Sequence, residues 1–99
     1  MSFSEVVDTL RSAEGRDAWV AVTSGPGETA RAAVMHGDLR DVDVHEEVAF
    51  LPVDIAGEPH LSGNIGVALD PRDFEGAEGS LPGNLFVRLR EYDVRVATR

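Results

Sequence analysis

The segment Arg40–Val53, with the sequence RDVDVHEEVAFLPV, decides the class of fold. Polar and apolar residues alternate from Arg40 to Val48 with one interruption, which is typical of a β-strand with one face in solvent. Residues 49–53 are apolar on both faces, as in a strand inside a core. Pro52 cannot donate a ladder hydrogen bond, which places the strand end at an edge or a bulge. The segment therefore predicts a strand that passes from the margin of a sheet into its interior.

The polar face of this strand carries a candidate metal site. Four side chains would point to the same side: Asp41, Asp43, His45 and Glu47. Neighbours in this set would lie about 6.5–7 Å apart, so that an adjacent pair could share one hard cation, with His45 as a nitrogen ligand. A single strand cannot wrap an ion, and a solvated acidic face explains the same pattern. Both interpretations stay open.

Toward the C-terminus the sequence predicts further strands. Residues 65–69 form one, and residues 85–98 another, in which the apolar face changes after Glu91. A sheet absorbs such a slip by a bulge, a bend or a turn, and the Val residues favour a long bent strand over the helix that the spacing also permits. Residues 70–84 contain three Gly and two Pro and predict a mobile loop, which opens with one helical turn at Asp70–Phe74.

Toward the N-terminus the sequence predicts a hairpin and a helix. Residues 18–36 favour two strands joined by a Pro-Gly turn at 24–27, although the Ala-rich second half also suits a helix. Ser2–Glu5 fits a capping box, and apolar residues follow at helical spacing until a glycine ends the stripe.

The whole chain, residues 1–99, is expected to form one α+β domain that is mainly β. An amphipathic helix at about 3–14 would pack on an antiparallel sheet or small barrel of about five to six strands within 18–98. Such a sheet has open edges, and the flat apolar stretch Val48–Val53 could pair with a second copy. We therefore expect a homodimer.

Composition limits the partners and the chemistry. Eighteen Asp and Glu stand against nine basic residues, all of them Arg, and the net charge is −9. Such a chain repels nucleic acid and anionic membranes. Cysteine is absent, which excludes disulfides and thiol chemistry. The chain shows no signal peptide and no apolar run of membrane length, which predicts a cytoplasmic location.

Catalytic and anion-binding signatures are weak. His36, His45 and His60 match no zinc spacing, and Ser62 lacks the strained turn that exposes a nucleophile. No phosphate-binding or dinucleotide pattern occurs, so we expect no cofactor. A final group of side chains has ordinary structural explanations: Arg88, Arg90 and Arg95 as partners of the acidic residues among them, and Trp19 and Tyr92 as core residues.

The sequence thus favours a non-catalytic structural or protein-interaction domain. One alternative is a domain that binds a small ligand or a divalent metal between the Asp41–Glu47 face and the 70–84 segment. Another is a small enzyme with His45 or His60 as general base and a carboxylate as its partner.

Overall fold

The computed structural model describes residues 1–24, 31–61 and 65–99. Within these ranges one α-helix is followed by eight β-strands. In chain order the elements are α1 (Phe3–Ser12), β1 (Asp17–Ser24), β2 (Arg31–Leu39), β3 (Asp43–His45), β4 (Val48–Ile55), β5 (Gly66–Leu69), β6 (Phe74–Gly79), β7 (Gly83–Leu89) and β8 (Tyr92–Thr98). A short 3-10 turn, Pro59–Leu61, lies between β4 and β5.

The helix begins at the predicted capping box. Ser2 Oγ accepts a hydrogen bond from the Glu5 N–H at 3.1 Å, and the Glu5 carboxylate accepts one from the Ser2 N–H at 3.0 Å. The hydrogen bond from the Ser2 N–H, and after it the Ser2 hydroxyl, hold the pKa of the Glu5 carboxyl below its ordinary value. The helix buries Val6, Val7 and Leu10, so the predicted apolar stripe is confirmed.

The strands form one antiparallel sheet that curls into a half-barrel around the apolar face of α1. The strand order is β3-β4-β2-β1-β8-β7-β6, and β5 pairs with β4. The predicted class, mainly β with an N-terminal helix on an antiparallel sheet, is confirmed, although the sheet has more strands than the five to six expected. The extra strands lie in two segments, 40–48 and 70–84, in which the strands were predicted wrongly from the sequence.

The first of these segments is 40–48, which is not one strand. β3 ends at His45, and Glu46 and Glu47 form a two-residue turn into β4. Both turn residues have positive φ, 51° and 73°, which is the backbone of a type I′ hairpin turn. Asn-Gly normally supplies this geometry, so the Glu-Glu pair gives no turn signal and resembles a continued alternation.

The strand β4 is an interior strand and not an edge. Ala49 lies opposite Val44 of β3 on one side and opposite Leu69 of β5 on the other. The backbone groups of β4 are thus used on both sides, so the expectation that Val48–Val53 pairs with a second copy is wrong. A homodimer, if it forms, uses another surface.

The second segment is 70–84, where a strand replaces most of the predicted loop. The predicted turn is present, with the Asp70 carboxylate accepting from the Arg72 N–H at 2.9 Å. β6 then begins at Phe74 and pairs with β7. The Phe74 ring packs edge-on against the Phe3 ring, with 5.6 Å between the ring centroids. Because this strand is held by backbone pairing and buries few side chains, its sequence of Gly and Glu does not reveal it.

The sequence also predicts β-structure near both ends of the chain. Residues 85–98 are β rather than helical, but they form two strands, β7 and β8, with the face change in the turn at 90–91. Within the described residues, the predicted hairpin strands are present as β1 and β2, which pair antiparallel. The part of its turn after Ser24 lies outside the described residues, as does Ser62.

Candidate functional site

The outer face of the half-barrel carries two neighbouring rows of side chains across four strands. Each row contains one residue from β2, β1, β8 and β7, because residues opposite each other on paired strands point to the same side. The rows are Val34, Ala21, Arg95, Phe86 and His36, Trp19, Ala97, Asn84. We call these eight residues the outer-face patch.

Three large apolar side chains of the patch are exposed. The exposed fraction is 51% for Trp19, 60% for Val34 and 43% for Phe86. Single exposed apolar residues are common on soluble proteins, whereas a contiguous group marks an interaction surface. The prediction that Trp19 belongs to the core is wrong. Ala18 and Val20 are both fully buried, and alternation along β1 therefore turns Trp19 outward.

The Trp19 ring is held in place by its neighbour on β2. It stacks on the His36 imidazole with 4.2 Å between ring centroids and 10° between the ring planes. The His36 Nε2 atom lies 2.9 Å from a carboxylate oxygen of Asp17. Asp17, His36 and Trp19 therefore form a chain of contacts that limits the motion of an exposed indole.

The Arg95 guanidinium is also held in place. Its Nε and Nη2 atoms donate to the Asn84 side-chain oxygen at 3.1 and 2.9 Å, and its central carbon lies 5.3 Å from the Phe86 ring centroid. No carboxylate in the described part of the chain forms an ion pair with Arg95. The structure thus presents an oriented cation beside the exposed Phe86 ring. Cross-strand pairing holds for Arg88, whose guanidinium lies 4.0 Å from Glu78, and not for Arg95.

The four predicted metal ligands are not brought together as one row. Asp43 and His45 share a side of β3, but Asp41 precedes the strand and lies 3.6 Å from the Arg11 guanidinium. Glu47 lies in the hairpin turn. Over residues 1–24, 31–61 and 65–99, no group of three or more His, Asp or Glu side chains is placed to hold a metal ion.

Asp43 and His45 line an open hollow that also contains Arg72. The Arg72 guanidinium binds the Asp70 carboxylate at 2.7 Å. This contact lowers the pKa of Asp70 and raises that of Arg72. A cation beside the hollow opposes a second cation electrostatically. Binding of a divalent ion by Asp43 and His45 stays a prediction, which a thermal melt with and without EDTA tests.

The three histidines have separate surroundings. His36 pairs with Asp17 on the outer-face patch, His60 lies 3.4 Å from Glu58, and His45 lies in the hollow with Arg72. The structure therefore does not join the three histidines into one site.

Tyr92 links two strands that are distant from each other in the sheet. Its hydroxyl donates to the Ala68 carbonyl at 2.6 Å, which links β8 to β5 although three strands separate them in the sheet order. Burial raises the pKa of the phenol, and the carboxylates of Asp73 and Asp70 act in the same direction. Tyr92 is half-buried against the core, which agrees with the expected structural role.

Comparison with known proteins adds no family to this geometry. No protein-family model matches the chain, and neither the curated proteins nor the solved structures contain a similar one. Within the described ranges, no helix has the length and apolar character needed to cross a membrane.

Proposed function

We propose that this chain is a non-catalytic protein-interaction domain and that the outer-face patch is its binding surface. The observation that carries the proposal is the row of Val34, Ala21, Arg95 and Phe86 beside the exposed Trp19. Trp and Arg are the residues that dominate binding energy in protein interfaces, and Phe is enriched there. Their grouping on one face supports binding of a protein rather than chemistry on a substrate.

The geometry of Trp19 and Arg95 favours binding because both side chains are already ordered. A side chain that is immobilised on binding costs about 0.5–1.5 kcal/mol of conformational free energy. The stack of Trp19 on His36 and the hydrogen bonds from Arg95 to Asn84 already order these two side chains in the free protein. Less conformational free energy is therefore lost when the partner binds. A partner therefore meets a surface that is close to its bound arrangement.

The charge of the patch indicates the chemistry of the partner. Arg95 offers a planar guanidinium without a carboxylate partner in the described residues, and the exposed Phe86 ring lies beside it. A carboxylate set among apolar side chains complements this arrangement, since guanidinium and carboxylate form two parallel hydrogen bonds. We propose a partner surface of that kind. Arg95→Lys keeps the positive charge but loses the planar guanidinium that forms the two parallel hydrogen bonds. It should therefore weaken binding of the partner almost as much as Arg95→Gln does.

Immobilised protein that captures a partner from a lysate of the source organism provides the first test. The captured protein is identified and purified, and its affinity is then measured against variants by the fluorescence of Trp19, the single tryptophan. Phe86→Ser and Val34→Ser should each weaken binding at least about tenfold. Trp19→Ser is measured by calorimetry because it removes the probe.

Val44→Ser is the matched control, since Val44 is an apolar residue of β3 that is 46% exposed and lies outside the patch. We expect its affinity to stay within about twofold of the wild type, because side chains outside the centre of an interface contribute little. Equal losses for Val44→Ser and Phe86→Ser, or no loss for the patch variants, would contradict the proposal. The melts of Phe86→Ser, Val34→Ser and Val44→Ser should stay close to that of the wild type, because each of these side chains is exposed. Trp19→Ser also loses the stack on His36 and should melt at a slightly lower temperature.

The proposal includes a cytoplasmic location and self-association. The lack of cysteine suits a reducing compartment, and fractionation of source cells tests it. Self-association is proposed to use the edge of β2.

A further inference from the structure

Strand β2 has an unpaired stretch on one edge. It pairs with β1 from Arg31 to Asp38. On its other edge, β4 pairs only with Gly37–Leu39, and the His36 carbonyl accepts from the Ala56 N–H. The chain then turns away at Ala56. Residues 32–35 therefore have no strand on this edge among the residues that the structure describes.

The hydrogen-bond pattern shows which backbone groups face the unpaired edge. The Arg40 N–H donates to Pro52, and the His36 carbonyl accepts from Ala56, so the even-numbered residues of β2 direct their groups away from β1. The Leu39 N–H donates to Arg16, which places the odd-numbered residues on the β1 side. Because this direction alternates along a strand, Ala32 and Val34 direct their N–H and C=O groups outward.

This edge lacks the features that protect the β6 and β3 edges of the sheet. Edge strands are usually shielded by charged residues, by Pro, by bulges or by shortness. β6 contains two Glu residues and a register irregularity between Phe74 and Gly76, and β3 is three residues long with two polar side chains. Residues 32–35 read Ala-Ala-Val-Met, without a charge or a Pro, and Val34 is 60% exposed.

We infer that a second copy of this chain pairs with the edge formed by residues 32–35 of β2. In an antiparallel arrangement about a two-fold axis at Ala33, Ala32 of each copy lies opposite Val34 of the other. The two outward pairs then form four backbone hydrogen bonds. Each exposed Val34 packs beside a small Ala32, so no side chain obstructs the approach.

The neutral edge favours this occupant, whereas net charge and contact size limit the strength of the dimer. Two chains of net charge −9 repel each other, and a neutral edge brings them together with no like charges opposed at the contact. A four-residue edge buries less than the roughly 1,200 Å² of a standard stable interface. The dimer is therefore a weak one, which forms at high protein concentration.

The test is sedimentation of the purified full chain over a concentration series, with Ala32→Pro as the edge-blocking variant. Ala32 directs its N–H away from β1, so Pro removes a donor needed by the second copy and none needed by the β1–β2 ladder. We expect a concentration-dependent dimer in the wild type and at least tenfold weaker association in Ala32→Pro. Ala33→Lys, with its charge beside the two-fold axis, gives a second variant if Pro disturbs folding.

Residue-specific hydrogen exchange supplies a readout that depends on the edge itself. The amides of Ala32 and Val34 should gain protection as the concentration rises, while those of Ala33 and Met35 should be protected at all concentrations. A single monomeric species throughout the series, or a dimer that both edge variants retain, would overturn the inference. A monomer whose Ala32 and Val34 amides become protected only with a foreign protein would also overturn self-pairing.

The proposed dimer edge and the outer-face patch share Val34, but each also contains residues that the other lacks, and variants of those residues separate the two proposals. Phe86 lies on β7, three strands from β2 and roughly 14 Å away across the sheet. Phe86→Ser should therefore abolish partner binding and leave the dimer intact, whereas Ala32→Pro should do the reverse.

Discussion

The indole of Trp19 and the imidazole of His36 are parallel to within 10° and 4.2 Å apart on the solvent side of neighbouring strands. This relationship explains how a large apolar ring remains ordered on an exposed surface. It also gives a direct probe, because Trp19 is the only tryptophan in the chain.

Removing the imidazole should loosen the indole. In His36→Ala we expect stronger acrylamide quenching of Trp19 fluorescence and a loss of about 0.5–1.5 kcal/mol in the free energy of unfolding, since a stacked ring pair contributes about that much. His36→Phe retains a stacking ring and should restore most of both quantities. Quenching in His36→Ala equal to that of the wild type would show that the stack does not order Trp19.

The hydrogen bond from Tyr92 to Ala68 should stabilise the curl. Tyr92→Phe leaves the Ala68 carbonyl without this donor, and we expect a loss of about 1 kcal/mol, seen as a lower urea midpoint at an unchanged m value. Thr98→Val is the matched control. It also removes a hydroxyl, but the buried Thr98 hydroxyl has no hydrogen-bond partner in the described residues, so its loss should be neutral or stabilising.

The phenol of Tyr92 should also link stability to alkaline pH. Its pKa is raised by burial and by nearby carboxylates, so the unfolded chain releases this proton at a lower pH than the folded chain. The contribution is fully present below the unfolded value of about 10 and is lost as pH rises through the folded value. Tyr92 is the single tyrosine, so the absorbance of phenolate follows it directly. Phenolate formation at the pKa of free tyrosine in the folded protein would contradict this prediction.

The turn formed by Glu46 and Glu47 should be a site of conformational strain. Both residues have positive φ, which costs a non-glycine residue of order 1–3 kcal/mol. The double variant E46N/E47G places the preferred Asn-Gly pair in this turn and should stabilise the protein by about 1 kcal/mol, or about 4–8 °C in Tm. The variant E46Q/E47Q removes the same charges and keeps the strain, so an equal gain there would refute the explanation.

Local chemistry made much of this fold predictable. The capping box at Ser2 and Glu5 and the period-two alternation within residues 85–89 and 92–96 depend on neighbouring residues, and the structure bears them out. Pairing across the sheet depends on distant residues. For that reason the sequence predicts a loop where β6 lies and an edge where β4 lies.

The outer-face patch was harder to predict from the sequence than the fold was. Hydrophobicity places Trp19 in a core, and only the burial of both Ala18 and Val20 shows that the alternation directs it outward. The rows of the outer-face patch join residues from both ends of the chain, and no spacing within the sequence reveals their register. The predicted acidic row failed in the same way, because the turn at Glu46 and Glu47 interrupts it.

Site-specific photocrosslinking tests the central claim most directly. A benzophenone analogue of phenylalanine replaces Phe86 in one variant and Val44 in another, each expressed in the source organism at its native level. The account predicts a discrete adduct with one partner protein from position 86 and none of that adduct from position 44. An adduct at position 44 alone, equal adducts at both positions, or no adduct from position 86 would show that the outer face of the half-barrel is not the binding surface.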